Sequence, residues 1–482
     1  CADPTVIIGS ITDHMYIGRK ASVVGNARLE AYGGRGGGFF TSYRHLLGNL
    51  DEHASANKHS NTRSVLKWEV GASSECGIRN SNEDSYVVIN NLDELLETEG
   101  LSSFSKQDLG KTSQQGLYAI FDGHVGNQAA RYSAENFHKI LMEQQSVLAS
   151  EDSAANYSCS IEDQAETVLR EAFDRLDRDF CRLCTKDGRD WDCGATALVA
   201  FIVDDVVSLA NLGDCRGVVC RLVSDAINDP DSPEMDGWEV LDRDENKDDN
   251  VVWDRASGGG SASEGKLLWK EITEDHSPLV EEERARIEKA NGWILQECEI
   301  PIGQLHRMDI FDNDVVEIVK RCFADRMKQH RSDPVRQIQI ARTCGDLAVS
   351  RAIGDRDFKE AYNLPSNKEQ LSRSWEGPLV FIYPDGHSGK FRGDIVSNVP
   401  DVETFKVGQE GVLDEFLLMA CDGLWDVMDS DDAVRIAKEL LFDKKLSAKD
   451  AAHRLAELAQ HLGSSDNITV IVIRFYWTEA SE

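Results

Sequence analysis

Three observations in this chain predict an α+β fold with antiparallel strands. Short β-like runs recur from residue 117 onward, tight acidic turns break them, and segments of helical spacing fall between the strand groups. The runs occupy residues 117–121, 195–203, 206–210 and 217–222, with Asp204-Asp205 and Gly213-Asp214 supplying turns. Runs this short, separated by so few residues, read as a meander.

Helical spacing appears first at 128–144 and 164–181. In the second segment Ala165, Val168, Leu169, Ala172, Phe173 and Leu176 line one face at intervals of three and four. Two further amphipathic helices are expected at 431–442 and 447–462. Ser447 is placed to cap the start of the latter and Gly463 to stop it. A last strand over 468–475 closes the domain.

At 482 residues the chain exceeds what one core usually needs, yet it reads as one large domain with insertions. Residues 1–62 carry Gly33-Gly34-Arg35-Gly36-Gly37-Gly38 and no sustained periodicity, so a flexible N-terminal segment is expected there. Within it Arg19-Lys20-Ala21-Ser22 reads either as a basophilic kinase site or as solvated tail. The domain proper is expected over 63–482, interrupted near 225–265, 298–340 and 359–397. Between Asp225 and Asp254 twelve acidic residues face only Arg243 and Lys247, the composition of a solvated loop. The second insertion shows a helical pattern at 313–330.

Composition narrows the function classes. Lys and Arg total 52 against 85 Asp and Glu, and a formal charge of -33 argues against nucleic acid and anionic membrane as partners. No run approaches the roughly 20 apolar residues of a membrane span. The twelve cysteines lack the density of a secreted disulfide scaffold. Reduced thiols in an intracellular compartment, cytoplasmic or nuclear, are the expectation. Cys181-x-x-Cys184 with Cys193 beyond lacks the fourth ligand of a structural zinc site and reads as packed thiols. Cys1 in place of an initiator methionine reads as a processed chain or a fragment.

The chemistry concentrates in acidic corners that abut β-like runs. They are Arg79-x-x-x-Glu83-Asp84, Asp122-Gly123-His124-Val125-Gly126, Asp422-Gly423-Leu424-Trp425-Asp426 and Asp466-Asn467. Carboxylate oxygens with few His or Cys among them select hard cations, Mg²⁺ or Mn²⁺. Two such ions can lower the pKa of a bridging water and clamp both oxygens of a phosphoryl displacement. The sequence carries its own control: Asp385-Gly386-His387-Ser388-Gly389 repeats the DGHxG pattern. Pro384 before it and Gly389-Lys390-Phe391-Arg392-Gly393 after it mark an exposed turn, whereas the first copy opens a helix.

In order along the chain, these corners combine with Cys193-Gly194-Ala195-Thr196-Ala197, Asn211-Leu212-Gly213-Asp214-Cys215-Arg216, Asp275-His276, residues 347–355 (LAVSRAIGD) and Pro400-Asp401. The series resembles the metal-dependent serine/threonine phosphatases of type 2C (PPM) over about 68–477. The resemblance implies a four-layer α/β/β/α sandwich, two central antiparallel sheets flanked by helices, with a dinuclear Mg²⁺ or Mn²⁺ site at one end. It implies that Asp122 bridges both ions, Asp422 and Asp466 complete one site, and the Gly123 carbonyl helps hold the other. Glu83 and Asp84 then act largely through water, and Asp214 serves a third, weaker ion.

The same resemblance makes Arg79 the phosphate-binding residue and His124 the acid that protonates the leaving alkoxide. The reaction implied is hydrolysis of phosphoserine and phosphothreonine in phosphoprotein substrates by a metal-bridging hydroxide, without a phosphoenzyme. Adjacent strand residues face opposite ways, so Glu83 and Asp84 cannot both ligate directly unless the strand ends there. Asp426 reads as a support for the site or as a chain turn, and Thr196, Arg351, Asp355 and Asn467 as supports of loop geometry. Cys193, Ala195 and Cys215 stand where the family often has serine. A mobile flap with a helix at 281–290 is expected after Asp275-His276, and substrate choice and regulatory partners are expected at the insertions of a monomer. A catalytically silent phosphatase-like scaffold that binds a partner and a metal nuclease are the rivals; the full carboxylate set speaks against the first and the charge balance against the second.

Overall fold

The computed structural model describes residues 7–9, 64–92, 95, 114–155, 160–224, 237–241, 265–299, 338–363, 374–379, 381–409 and 412–479. Two antiparallel sheets form its centre. The first runs Ile7–Gly9, Ser85–Ile89, Gln115–His124, Gly194–Val203, Val206–Leu212 and Asp401–Lys406, with Ile353–Gly354 added beside Gly194–Val203. The second runs Ser64–Glu75, Ile468–Glu479, Val412–Ala420, Arg216–Ser224, Gly265–Glu271 and Glu239–Val240.

Alternation along the strands divides the core into layers. Tyr118, Ile120, Leu198, Ala200, Val207 and Leu209 of the first sheet meet Val219, Leu417, Met419, Ile471 and Ile473 of the second. Their neighbours point outward: Leu117, Ala119, Phe121, Ala197 and Val199 pack under the helices Gln128–Ala155 and Ile161–Cys184. On the far side Val218, Leu418, Ala420, Val470 and Val472 are covered by Ser430–Lys438 and Ala448–Leu462. The expected four-layer sandwich is the observed one. Strands this apolar are explained by burial on both faces.

The caps are where sequence places them. Ser447 accepts the backbone N–H of Asp450, and Gly463 takes the left-handed conformation at φ 97° that ends the helix. Ser160 caps the earlier helix through the N–H of Asp163. Within the segment expected to be a flexible tail, Ile7–Gly9 pairs antiparallel with Tyr86–Val88 at the sheet edge. A free edge accepts any short β-prone run, and three residues are too few to show a period. The kinase-like string, most of the acidic insertion and the helical pattern at 313–330 lie outside the described residues.

The flap region has its own small core. Its helix Glu281–Lys289 contributes Ile287, and the strands Ile294–Glu299 and Ile338–Thr343 pair beside it. Trp293 packs against Phe381, Tyr383 and Phe391 of the third insertion with ring centroids 5.4–6.2 Å apart. The second DGHxG copy belongs here: His387 donates through Nε2 to the Asn291 carbonyl at 2.7 Å, meets Trp293 edge-on and stacks on Tyr383. It locks a turn, as its context indicated.

Buried Glu283 ties this unit to the sandwich by accepting from Arg286 at 2.8 Å and Arg351 at 2.9 Å. Burial pushes its carboxyl up, but the two arginines and Ser350 outweigh that and hold it down at about 2. A depressed folded-state pKa contributes stability that is complete above the unfolded value and is lost as pH falls through the folded one. Glu283→Ala should therefore cost roughly 3 kcal/mol at pH 7, the scale of a broken buried pair. In paired thermal melts the gap to wild type should narrow as pH falls from 5 toward 2.

Candidate metal centre

The strands deliver the acidic corners to one place. Asp122 stands near the end of Gln115–His124, opposite Thr196, and Asp214 lies in the turn after Val206–Leu212. Asp422 opens a short helical turn directly after Val412–Ala420, Asp84 precedes Ser85–Ile89, and Asp466 precedes Ile468–Glu479. Ligand atoms of Asp122, Asp214 and Asp422 lie within 4.8 Å of one another, and so do those of Asp84, Asp122 and Cys421. Asp122 is common to both groups.

Loss of water and mutual repulsion dominate the electrostatics. Burial, then the charges of Asp84, Asp422, Asp466 and Asp214, push the Asp122 carboxyl well above its ordinary value. Asp422 is raised well above it too, by burial and then by Asp426, Asp214, Asp466 and Asp84. Asp84 is pushed to about 6 by burial despite the hydroxyl of Thr469, which donates to it at 2.6 Å. Asp214 is also raised to about 6, by burial and by Asp275. Oδ1 of Asp84 and Oδ1 of Asp422 are buried with no hydrogen-bond partner. Native proteins rarely leave such atoms unsatisfied or crowd like charges without an ion to hold them together. The carboxylate oxygens of Asp84, Asp122, Asp214 and Asp422, which outnumber the single Cys421 sulfur, fit a hard divalent cation.

The other expected residues are arranged around this pair of groups. Asp466 belongs to neither triad, but its charge reaches Asp84, Asp122, Asp214 and Asp422. Glu83 also lies outside the triads; its N–H donates to the Asn467 side chain at 2.8 Å, and its charge reaches His124. The strand begins only at Ser85, so Glu83 and Asp84 escape the opposite-face conflict. Gly123 must be bare, since a Cβ there would sit 2.4 Å from the Glu83 carbonyl oxygen. Arg79 is half exposed and donates to Asp466 at 2.7 Å and to the Ser465 carbonyl at 2.8 Å, which sets its guanidinium at the rim.

His124 lies at the end of the Asp122 strand, where the chain then turns through Val125 at φ 60°, a strained conformation for a β-branched residue. Burial would lower its pKa, but the Asp355 carboxylate and its hydrogen bond, with Asp214 and Glu83, hold it above the usual value. Cys215, against Thr196 at 3.3 Å, is fully buried with its thiol pushed far up, which makes it inert. Cys181, Cys184 and Cys193 are likewise buried free thiols.

Two contributors escaped sequence reasoning. Cys421 donates to Asp84 at 3.5 Å and accepts from the Thr469 N–H. A thiol ending an apolar strand reads as core, and only its position just before Asp422 could have marked it. Thr469 carried no signal beyond following Asn467.

A model of the family described as Protein phosphatase 2C matches residues 68–229 and 257–468. The chain belongs to the protein phosphatase 2C family. This phosphatase is 22% identical over 409 residues to the human "Integrin-linked kinase-associated serine/threonine phosphatase 2C", covering 83% of the chain and 70% of that protein. It is 25% identical over 406 residues to "Probable protein phosphatase 2C 22" of Arabidopsis thaliana, covering 84% and 67%. A solved serine-threonine phosphatase 2C from Toxoplasma gondii aligns with a TM-score of 0.46 at 18% identity, over 86% of this chain and 96% of that one. Among the described residues no helix is long and apolar enough to cross a membrane.

Proposed function

We propose that this phosphatase removes phosphate from phosphoserine and phosphothreonine in phosphoproteins at a dinuclear Mg²⁺ or Mn²⁺ site centred on Asp122. The observation that carries the reading is the pair of ligand groups sharing Asp122, with orphaned oxygens on Asp84 and Asp422. Asp122 would contact both ions, with Asp422 and Asp466 serving one, and Gly123, Asp84 and Glu83 the other. Asp214 would serve a third. When bound, such ions lower the pKa of the attacking water and neutralise phosphoryl charge.

The chain's own residues supply the rest. Arg79 stands at the rim, where its planar fork can take two phosphate oxygens once substrate competes for it. Asp466, its present partner, keeps that fork aimed at the acidic centre. His124 hands a proton to the departing serine or threonine oxygen, a poor leaving group that needs one. The domain responsible spans 63–482 with insertions near 225–265, 298–340 and 359–397, and regulatory partners would act on a monomer at those insertions. Phosphate release from a phosphothreonine peptide should require added Mn²⁺ and stop with EDTA. Full turnover of metal-stripped protein in EDTA would contradict the reading.

A further inference from the structure

The reading of His124 as proton donor leaves open what holds its ring. We infer that Asp355 is the positioning residue of that step, orienting His124 by engaging Nε2 so that a proton reaches the leaving oxygen from Nδ1. The inference rests on the proposed role of His124. Both Asp355 oxygens lie within hydrogen-bond distance of Nε2, at 2.9 and 2.8 Å, across 231 residues of sequence. Among the described contacts no other side chain bonds that nitrogen.

Three features show that the partner is placed deliberately. Asp355 is buried at 2% exposure and sits in the left-handed region at φ 47°, which aspartate and asparagine adopt more readily than other non-glycine residues. Its N–H donates to the Cys193 carbonyl, and Ile353–Gly354 pairs with Gly194 and Ala195, so the segment is pinned to the strand beside His124. Behind it Asp177 accepts from the Gly354 N–H at 2.8 Å and from buried Lys359 at 2.5 Å, and Lys359 also donates to the Ala352 carbonyl. The buried ion pair and the strand bridge together hold the Asp355 carboxylate at the His124 ring.

Gly194 supplies the independent geometric mark. A Cβ at this strand position would meet Asp355 Oδ2 at 2.2 Å and His124 Nε2 at 2.4 Å. The bare backbone makes room for the carboxylate and the imidazole together. Nothing about the Asp122 ligand groups requires that space.

The test compares two substrates in the full chain with saturating Mn²⁺: a phosphothreonine peptide, whose alkoxide needs a proton, and p-nitrophenyl phosphate, whose phenolate leaves unaided. Asn tolerates the left-handed conformation, so Asp355→Asn should keep its fold, checked by thermal melting. It should lower kcat on the peptide about tenfold, within the range of a compromised acid catalyst, and affect the aryl phosphate far less. Gly194→Ala, which changes no ionisable group, should show the same skew.

The double variant His124→Gln/Asp355→Asn decides between positioning and mere structure. It should be no slower on the peptide than His124→Gln alone, because Asp355 acts through the ring that is gone. An independent further loss in the double variant, or equal losses on both substrates in Asp355→Asn, would overturn the inference. Equal losses on both substrates in His124→Gln itself would instead refute the proton-donor role and take the inference with it.

Discussion

Asp122→Asn is expected to lower kcat on a phosphothreonine peptide by about a thousandfold or more while making the metal-free protein more stable. The carboxylate is the one group common to both ligand clusters, so its loss weakens every ion in the site. Ions of this kind supply several kcal/mol of transition-state charge stabilisation, and roughly 4 kcal/mol corresponds to a thousandfold in rate. The amide keeps the shape but removes one negative charge from a place where Asp84, Asp422, Asp466 and Asp214 all repel it. Relief of that repulsion should raise metal-free stability by about 1 kcal/mol, the usual trade between a strained site and its activity. Chemical denaturation in EDTA beside steady-state kinetics reads both halves; a variant that is slow and also less stable would point to damage of the fold.

Mn²⁺ should stabilise the wild-type protein strongly at neutral pH and weakly in acid. Asp84 and Asp214 are both pushed to about 6 in the fold, above the ordinary carboxylate range. For carboxyls raised in this way the sign is opposite to that of Glu283. Their cost to the metal-free fold is absent below the unfolded value near 4, grows between there and about 6, and is complete above that. A divalent ion replaces the protons and removes that cost. At one hundred times its dissociation constant it would add about 2.7 kcal/mol at pH 7.5, a rise of several degrees in Tm. At pH 5 protons occupy the same oxygens and the shift should shrink to a small fraction of that, measurable in the same thermal scan. An equal shift at both pH values would place the ion somewhere other than these carboxylates.

Much of this was legible in the sequence because the signals were local. Strands such as Gly194–Val203 show themselves as unbroken apolar runs ended by tight turns, and Ser447 and Gly463 mark a helix by the chemistry of their caps. The carboxylates of the centre were legible for a related reason: each stands at the end of a strand, where antiparallel pairing gathers the corners. What stayed hidden depends on distant contacts. Trp293, Phe381, Tyr383 and Phe391 build a core from scattered aromatics that follow no period. Asp355 read as a support of its loop, because its partner His124 lies on another strand and only the pairing of Ile353–Gly354 with Gly194–Val203 brings them together. Arg79 was singled out only through the family resemblance of its motif, and its tie to Asp466 spans 387 residues of sequence and left no local signal.

Bound Mn²⁺, counted by equilibrium dialysis across a titration in which peptide dephosphorylation is followed in the same samples, tests the central claim most directly. A site centred on Asp122 predicts that turnover rises with occupancy, reaching its plateau as about two ions bind per chain. The same titration of Asp122→Asn should lose both the binding and the turnover. Turnover that saturates before any ion is bound, or an Asp122→Asn protein that binds the same number with the same affinity, would contradict it.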